Sequence, residues 1–147
     1  MNPTPGLVLP GYYRYYGTPV KLVETPEGGI RGWKVSMDHG GWEKANGIID
    51  EILFARGGEI YSHSPEEFVQ VVEGYRAHYL TGEGPIFALY ETVNAIAAAE
   101  ERERRYLTAK EIALLDGIRR KTFVMFEEQL QRQGDPGADP SVGQAQG

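Results

Sequence analysis

Three histidines are the side chains of this sequence that change charge near neutral pH, and two of them lie where acid–base chemistry would need them. His39 directly follows Asp38 at the predicted end of a strand, and His63 precedes a predicted helix. A small enzyme could use these groups as general acid and base if the fold brought all three together. Adjacent residues of an extended chain point to opposite faces, so the sequence favours a solvated loop pair over a catalytic dyad.

Other chemistries receive no support from residue types or spacing. His78, in a predicted helix, has no good ligand residue three or four positions away that would help to hold zinc. The chain has no cysteine, no Gly-x-Ser-x-Gly or Ser-x-x-Lys nucleophile motif, and no phosphate-binding glycine loop. We therefore predict no catalytic residue, no metal site and no cofactor, and the sequence gives no evident small-molecule ligand.

A cluster of aromatic and cationic residues near the N-terminus is the first predicted binding surface. Tyr12, Tyr13, Tyr15 and Tyr16 surround Arg14. Tyrosine and arginine are enriched at hot spots of protein interfaces and in platforms that stack bases. The net charge of −6 makes nucleic acid the weaker partner. The alternative is a short strand whose rings cover the core.

The second predicted surface lies on the last long helix. Arg119 falls within its apolar face, between Ile112 and Phe126, where an arginine needs a carboxylate or carbonyl partner. This face is wider than the ~100° stripe that packs against one neighbour, so it touches two elements, or one element and a partner. We expect Phe123 in the core and Phe126 at its edge, in contact with a protein partner or a second copy.

Two long helical patterns joined by a charged segment are the predicted organising element. Apolar residues recur at helical spacing over 85–105 and over 109–133. Between them, residues 100–105 mix both charge signs at the spacing of stabilising helix pairs. Thr108 followed by Glu111 predicts a capping box that opens the second helix. We expect a helical hairpin around which a smaller β part is packed.

Strand patterns are confined to the N-terminal half of the chain. A turn at residues 26–29 separates two predicted strands, and a third is predicted near 59–62. Ser64 before Pro65 predicts a helix start. Strands followed by helices indicate an α+β fold, a two- or three-stranded antiparallel sheet from residues 12–62 packed against helices near 47–56, 65–80, 85–105 and 109–133.

Composition predicts one domain, residues 12–133, between two tails. Residues 1–11 hold three prolines and two glycines, which is typical of an extended arm. Residues 134–147 contain no aromatic residue and a single valine, which predicts a flexible C-terminal tail. No apolar run approaches the roughly 20 residues that cross a bilayer, and the N-terminus lacks the features of a signal peptide. We expect a soluble cytoplasmic protein, intracellular or part of a virion or other assembly.

Three functions remain open on these grounds. We favour a non-enzymatic interaction or assembly subunit of a larger complex, for example a phage or bacterial multiprotein complex. A second hypothesis is a regulator, immunity-like or antitoxin-like, that neutralises a specific partner, because an acidic chain suits a basic target. The third is the small enzyme that uses Asp38, His39 and His63. The favoured hypothesis implies a protein partner or self-association, without nucleic acid or membrane.

Overall fold

An antiparallel sheet occupies the N-terminal half of the chain, and helices cover both of its faces. The structure, a computed structural model, describes residues 8–54 and 58–144. Within these residues the strands are β1 Gly11–Tyr15, β2 Thr18–Glu24, β3 Ile30–Val35, β4 Trp42–Lys44 and β5 Ile60–His63. A 3₁₀ turn at Asn46–Ile48 leads into the helices, which are α1 Ile49–Leu53, α2 Pro65–Tyr79, α3 Pro85–Glu103, α4 Ala109–Arg132 and α5 Ser141–Gln144.

The α+β fold is confirmed, but the sheet is larger than predicted. Over the described ranges it has five strands in the order β4-β3-β2-β1-β5, all antiparallel, instead of two or three. Strand β4 was missed because three residues are too few to show an alternating pattern. Its place is fixed by pairing with β3, where Val35 lies opposite Trp42.

Side chains of the strands divide between two apolar cores because successive residues point to opposite faces. Tyr12, Trp33 and Val35 face α2 and α4 in the larger core. Val20 and Leu22 face the smaller core, which α1 closes with Ile52, Ile49 and Leu53. The sheet is therefore buried on both faces over much of its area.

Helices α2 and α4 begin at the predicted positions, and both starts are capping boxes, although this motif was predicted only at Thr108. The hydroxyl of Ser64 accepts from the backbone N–H of Glu67 at 3.1 Å, and the Glu67 carboxylate accepts in return from Ser64 N–H at 2.9 Å. Thr108 and Glu111 form the same pair of bonds at the start of α4. These motifs satisfy backbone donors that helix starts leave unpaired, which explains why local sequence located both helices.

The helix at the centre of the fold is α2, and the α3–α4 hairpin packs outside it. Phe68, Val69 and Val72 of α2 have no exposed surface. Helix α2 contacts β1, β2 and β5 on one side and α4 on the other, whereas α3 packs against α4. The hairpin therefore forms, but it is not the element around which the sheet is packed.

The residues that follow α4 are packed on the core, in contrast to the flexible tail predicted from residue 134. Val142 is 6% exposed. The backbone N–H of Trp42 donates to Asp135 Oδ2 at 2.9 Å, and Lys21 Nζ donates to the carbonyl of Gly137. Gly137 is the residue that permits this approach, because a Cβ there would collide with Trp42. Residues 1–7 of the predicted arm and residues 145–147 lie outside the described part.

Candidate functional site

Strand β1 divides the predicted tyrosine cluster between the two faces of the sheet. Tyr12 faces α2, and its ring centroid lies 4.9 Å from that of Phe68. Tyr13 and Tyr15 pack into the smaller core. The hydroxyl of Tyr15 donates to the carboxylate of Glu51, and this hydrogen bond raises the pKa of Tyr15 to about 12. A single surface of all four rings therefore does not form.

The exposed member of the cluster, Tyr16, follows β1, and its ring packs edge-on against that of Tyr15, with the centroids 4.8 Å apart. Tyr16 is 51% exposed and Tyr61 of β5 is 50% exposed. Arg14 lies opposite Tyr61 in the β1–β5 ladder, with its guanidinium carbon 5.2 Å from the Tyr61 ring centroid. The backbone N–H of Tyr16 donates to the carbonyl of Glu59 at 2.9 Å, which holds the turn beside β5. We call Arg14, Tyr16 and Tyr61 the edge surface.

Tyr16 occupies an unfavourable backbone conformation. Its φ is 47° and that of Gly17 is 86°, so both central residues of the β1–β2 turn are left-handed. Hairpin turns of this kind select Asn or Gly at the first position, and a larger side chain there costs roughly 1–2 kcal/mol. Turn geometry therefore does not account for a tyrosine at this position.

Sequence reasoning missed a network of buried charges between the sheet and the helices. In the part of the chain that the structure describes, Lys21, Glu73, Arg76 and Glu127 are each at most 3% exposed. Two are cations and two are anions, so the buried charge is balanced. Arg76 Nη1 lies 2.9 Å from Glu73 Oε2, and Arg76 Nη2 lies 2.6 Å from Glu127 Oε2.

Neutral groups complete this network. The indole N–H of Trp42 donates to both oxygens of Glu127, at 2.9 and 3.1 Å. The hydroxyl of Tyr90 donates to Glu73 Oε1 at 2.9 Å, and Arg76 Nε donates to the carbonyl of Gly40 at 2.9 Å. Burial raises the pKa of Glu73, and Arg76 beside it acts in the opposite direction. Since each carboxylate accepts several hydrogen bonds from the protein, we interpret the network as structural.

A sequence signal for the network does exist. Glu73 and Arg76 lie three apart on α2, and Arg76 falls four positions after Val72, in line with the buried residues Phe68 and Val72. Charged residues within an apolar stripe require partners. The sequence does not show which residue provides the partner from another element, and here it is Glu127 of α4.

The structure does not bring the predicted acid–base groups together. Asp38 and His39 lie in the turn between β3 and β4, whereas His63 ends β5 at the opposite edge of the sheet. Three strand spacings separate β3 from β5, which amounts to about 14 Å. His39 Nε2 is 3.8 Å from Glu43, and His63 Nδ1 is 3.7 Å from Glu67. Asp38, His39 and His63 therefore do not form the shared site that the enzyme hypothesis requires.

The two residues predicted on α4 have different surroundings. Phe126 is 6% exposed, and its ring centroid lies 4.1 Å from the guanidinium carbon of Arg76. The prediction of an edge position for Phe126 is wrong, because α2 covers this face of α4. Arg119 is half-buried, and its Nη1 donates to Gln70 Oε1 at 3.4 Å. It lines a cleft between helices.

Searches of the described residues for a metal site or a membrane-spanning helix, and of the chain for similar proteins, give no indication of function. Across 8–54 and 58–144, no group of three or more His, Asp or Glu side chains could hold a metal ion. None of the helices in those ranges is long and apolar enough to cross a membrane. Compared with protein-family models, curated proteins and solved structures, the chain has no match. Its function has to be inferred from its own surface.

Proposed function

We propose that this protein is a non-enzymatic interaction subunit that binds a protein partner through the edge surface of Arg14, Tyr16 and Tyr61. The observation that carries the proposal is Tyr16 itself. It is held at a φ of 47° with half of its surface exposed. One edge of its ring packs on Tyr15, and we attribute a residue that costs stability where Asn or Gly would fit freely to a contact of its exposed half with a partner.

The chemistry of the edge surface suits a protein partner. Tyrosine and arginine are the residue types that most often dominate the energy of protein interfaces. Each tyrosine offers a large ring for burial and a hydroxyl for a rim hydrogen bond. The partner that we expect is a protein surface with an apolar pocket for Tyr16 and an acidic group that reaches Arg14.

The edge surface is also ordered before binding. The guanidinium of Arg14 already lies over the ring of Tyr61, and the Tyr16 backbone is tied to Glu59. Side chains that are held in place lose less conformational freedom on association, so more of their contact energy appears as affinity. The position at β5, the last strand in the sheet order of the described residues, leaves room for a partner beside the surface.

A regulator that neutralises one partner would use the same surface. The acidic net charge of −6 is the observation that favours this second candidate, because it would speed association with a basic target. The two functions differ in stoichiometry. An assembly subunit occurs in a stable multiprotein complex, whereas a regulator forms a one-to-one complex in which the partner loses its activity.

Site-specific photo-crosslinking in the native source tests the proposal. A photoreactive phenylalanine analogue at position 16 or 61 should capture the same partner, and one at position 106 should not. Tyr106 is a suitable control because it is 93% exposed and lies beyond α3. The partner is then purified, and its affinity is measured for wild type, Tyr16→Asn and Tyr106→Asn.

We expect Tyr16→Asn to weaken binding more than tenfold, since removal of an aromatic anchor costs on the order of 2 kcal/mol. The same change should raise the free energy of unfolding by about 1 kcal/mol, because asparagine tolerates the left-handed conformation. Tyr106→Asn should change neither quantity. Unchanged affinity of Tyr16→Asn, or a partner captured equally well from position 106, would contradict the proposal.

A further inference from the structure

A polar cleft of about 370 Å³ opens between α2, α3 and α4, away from the edge surface. Helix α2 contributes Gly74, Ala77 and His78 to its walls, and α3 contributes Val93 and Asn94. The volume is within the range of sites that hold small molecules. Its lining, in which polar groups accompany a few apolar ones, differs from an accidental gap in an apolar core.

Gly74 lines the cleft and contributes no side chain to it. It lies in the interior of α2, where glycine is less favourable than alanine. No close packing requires it, because a Cβ built at Gly74 would meet no atom of the described residues within 4 Å. The position therefore faces open space that a larger side chain would enter, and the small side chain of Ala77 lines the same space.

The deep end of the cleft is a hydrogen-bonded pair. Tyr90 is 4% exposed, and its hydroxyl donates to Glu73 Oε1 at 2.9 Å. Glu73 also receives a hydrogen bond from Arg76 Nη1. This end of the cleft is therefore rigid and polar, and its charge is compensated from within the protein.

The open side of the cleft carries a cation with free donors. Among the residues that the structure describes, the guanidinium of Arg119 has no carboxylate within 4.0 Å, and its one hydrogen bond is the 3.4 Å contact with Gln70. The guanidinium has five N–H donors, so several remain for a ligand. His78 and Asn94 add further polar atoms to the lining near the same opening.

We propose that the cleft binds a small carboxylate-bearing molecule. The carboxylate pairs with the guanidinium of Arg119 in a two-bond arrangement, for which the planar fork of arginine is suited. The rest of the molecule lies over Gly74 and Ala77 toward Tyr90. A dianionic phosphate fits less well, because Arg119 is the single permanent cation of the lining and the buried carboxylate of Glu73 is at its deep end.

An NMR titration of the ¹⁵N-labelled full chain tests this site. The probes are propionate, succinate and L-glutamate, with inorganic phosphate for comparison. We expect saturable shifts of the Gly74 and Asn94 amides with at least one carboxylate, and weaker binding of phosphate. Arg119→Gln should weaken the binding about tenfold or more, since it removes a charge-assisted hydrogen-bonding pair. Arg120→Gln is the matched control, because its exposed neighbour position carries the same charge and does not line the cleft.

A second variant separates loss of the site from loss of the fold. Gly74→Leu should fill the cleft and abolish the shifts, while Gly74→Ala should leave the fold intact and raise the melting temperature. Absence of saturation with every carboxylate, equal affinity of Arg119→Gln and wild type, or binding of phosphate as tight as that of carboxylates would each overturn the proposal. Binding that persists in a folded Gly74→Leu variant would do the same.

Discussion

Arg76 Nη2 donates to Glu127 Oε2 at 2.6 Å, and neither side chain has any exposed surface. The two residues are 51 positions apart and belong to α2 and α4. An ion pair so completely buried gains attraction but loses hydration, so its presence alone does not make the fold stable. Removal of one member alone has a different effect, because the two buried cations and two buried anions are then no longer balanced, although Arg76 still pairs with Glu73.

Loss of the charge on Glu127 should therefore destabilise the protein strongly. We expect Glu127→Gln to lower the free energy of unfolding by about 3–5 kcal/mol, since Arg76 keeps its charge and loses a counter-ion. Urea unfolding followed by circular dichroism measures the change. Glu128→Gln, at an exposed neighbouring position, should stay within about 0.5 kcal/mol. If Glu127→Gln lowered the free energy of unfolding by less than about 1 kcal/mol, the ion pair between Arg76 and Glu127 would not hold α2 and α4 together as its geometry indicates.

Truncation of Phe126 should act on stability. The ring is buried against Arg76. We therefore expect Phe126→Ala to lower the free energy of unfolding by ~3–5 kcal/mol, and Phe123→Ala to lower it by a similar amount. Tyr106→Ala removes an aromatic ring that is 93% exposed, and it should change stability by less than about 0.5 kcal/mol. Thermal and urea unfolding of the three variants make the comparison. If Phe126→Ala were as stable as wild type, the buried position of this ring would be contradicted.

Gly137→Ala should loosen the residues that follow α4. The added methyl group would collide with the Trp42 side chain and approach Trp33 at 3.0 Å, so we expect a cost of about 1–3 kcal/mol. Gly47→Ala is the matched control, because a Cβ there meets no atom of the described part within 4 Å. Limited proteolysis should cut Gly137→Ala after α4 faster than wild type. Equal rates of cleavage would support the flexible tail predicted from composition.

Acidification should remove the contribution that ionised Glu111, in the first turn of α4, makes to the free energy of unfolding. The side-chain hydrogen bonds from Arg105, together with the backbone of Thr108, lower the pKa of Glu111 from 4.5 to about 2. Because the folded protein holds this proton less tightly than the unfolded chain, the contribution is full above pH about 4.5 and is lost as the pH falls toward about 2. Urea midpoints measured across this window should fall less steeply for Arg105→Gln than for wild type. Arg102→Gln leaves the pair of Arg105 and Glu111 intact and should follow the wild-type curve. Identical slopes for wild type and both variants would contradict the conclusion that Arg105 lowers the pKa of Glu111.

Local signals in the sequence located most elements. The capping boxes at Ser64 and Thr108 act through residues three positions apart, so the starts of α2 and α4 are visible without the fold. Strand β4 depends on pairing with β3 rather than on its own three residues. The network of Arg76 and Glu127 likewise depends on which helix face meets which, and no local pattern contains that information.

The same distinction holds for the candidate site. Tyr16 was recognised from composition, but Tyr61 joins it only through the register that places Arg14 opposite Tyr61. A helical wheel gives the angle of Phe126 around α4, and it does not show that α2 lies on that side. Composition also predicted a flexible tail, because a glycine next to aromatic rings and a glycine in a linker look identical in sequence.

The contact of Lys21 with the carbonyl of Gly137 joins residues 116 positions apart. During translation, residue 21 leaves the ribosome long before residue 137, and domains generally fold as whole units. Trp33 and Trp42 therefore remain incompletely buried on the nascent chain until residues 137–142, which pack on this part of the core, have been synthesised. The native core thus cannot close before residues 137–142 have been synthesised, and until then Trp33 and Trp42 lack the contact with Gly137.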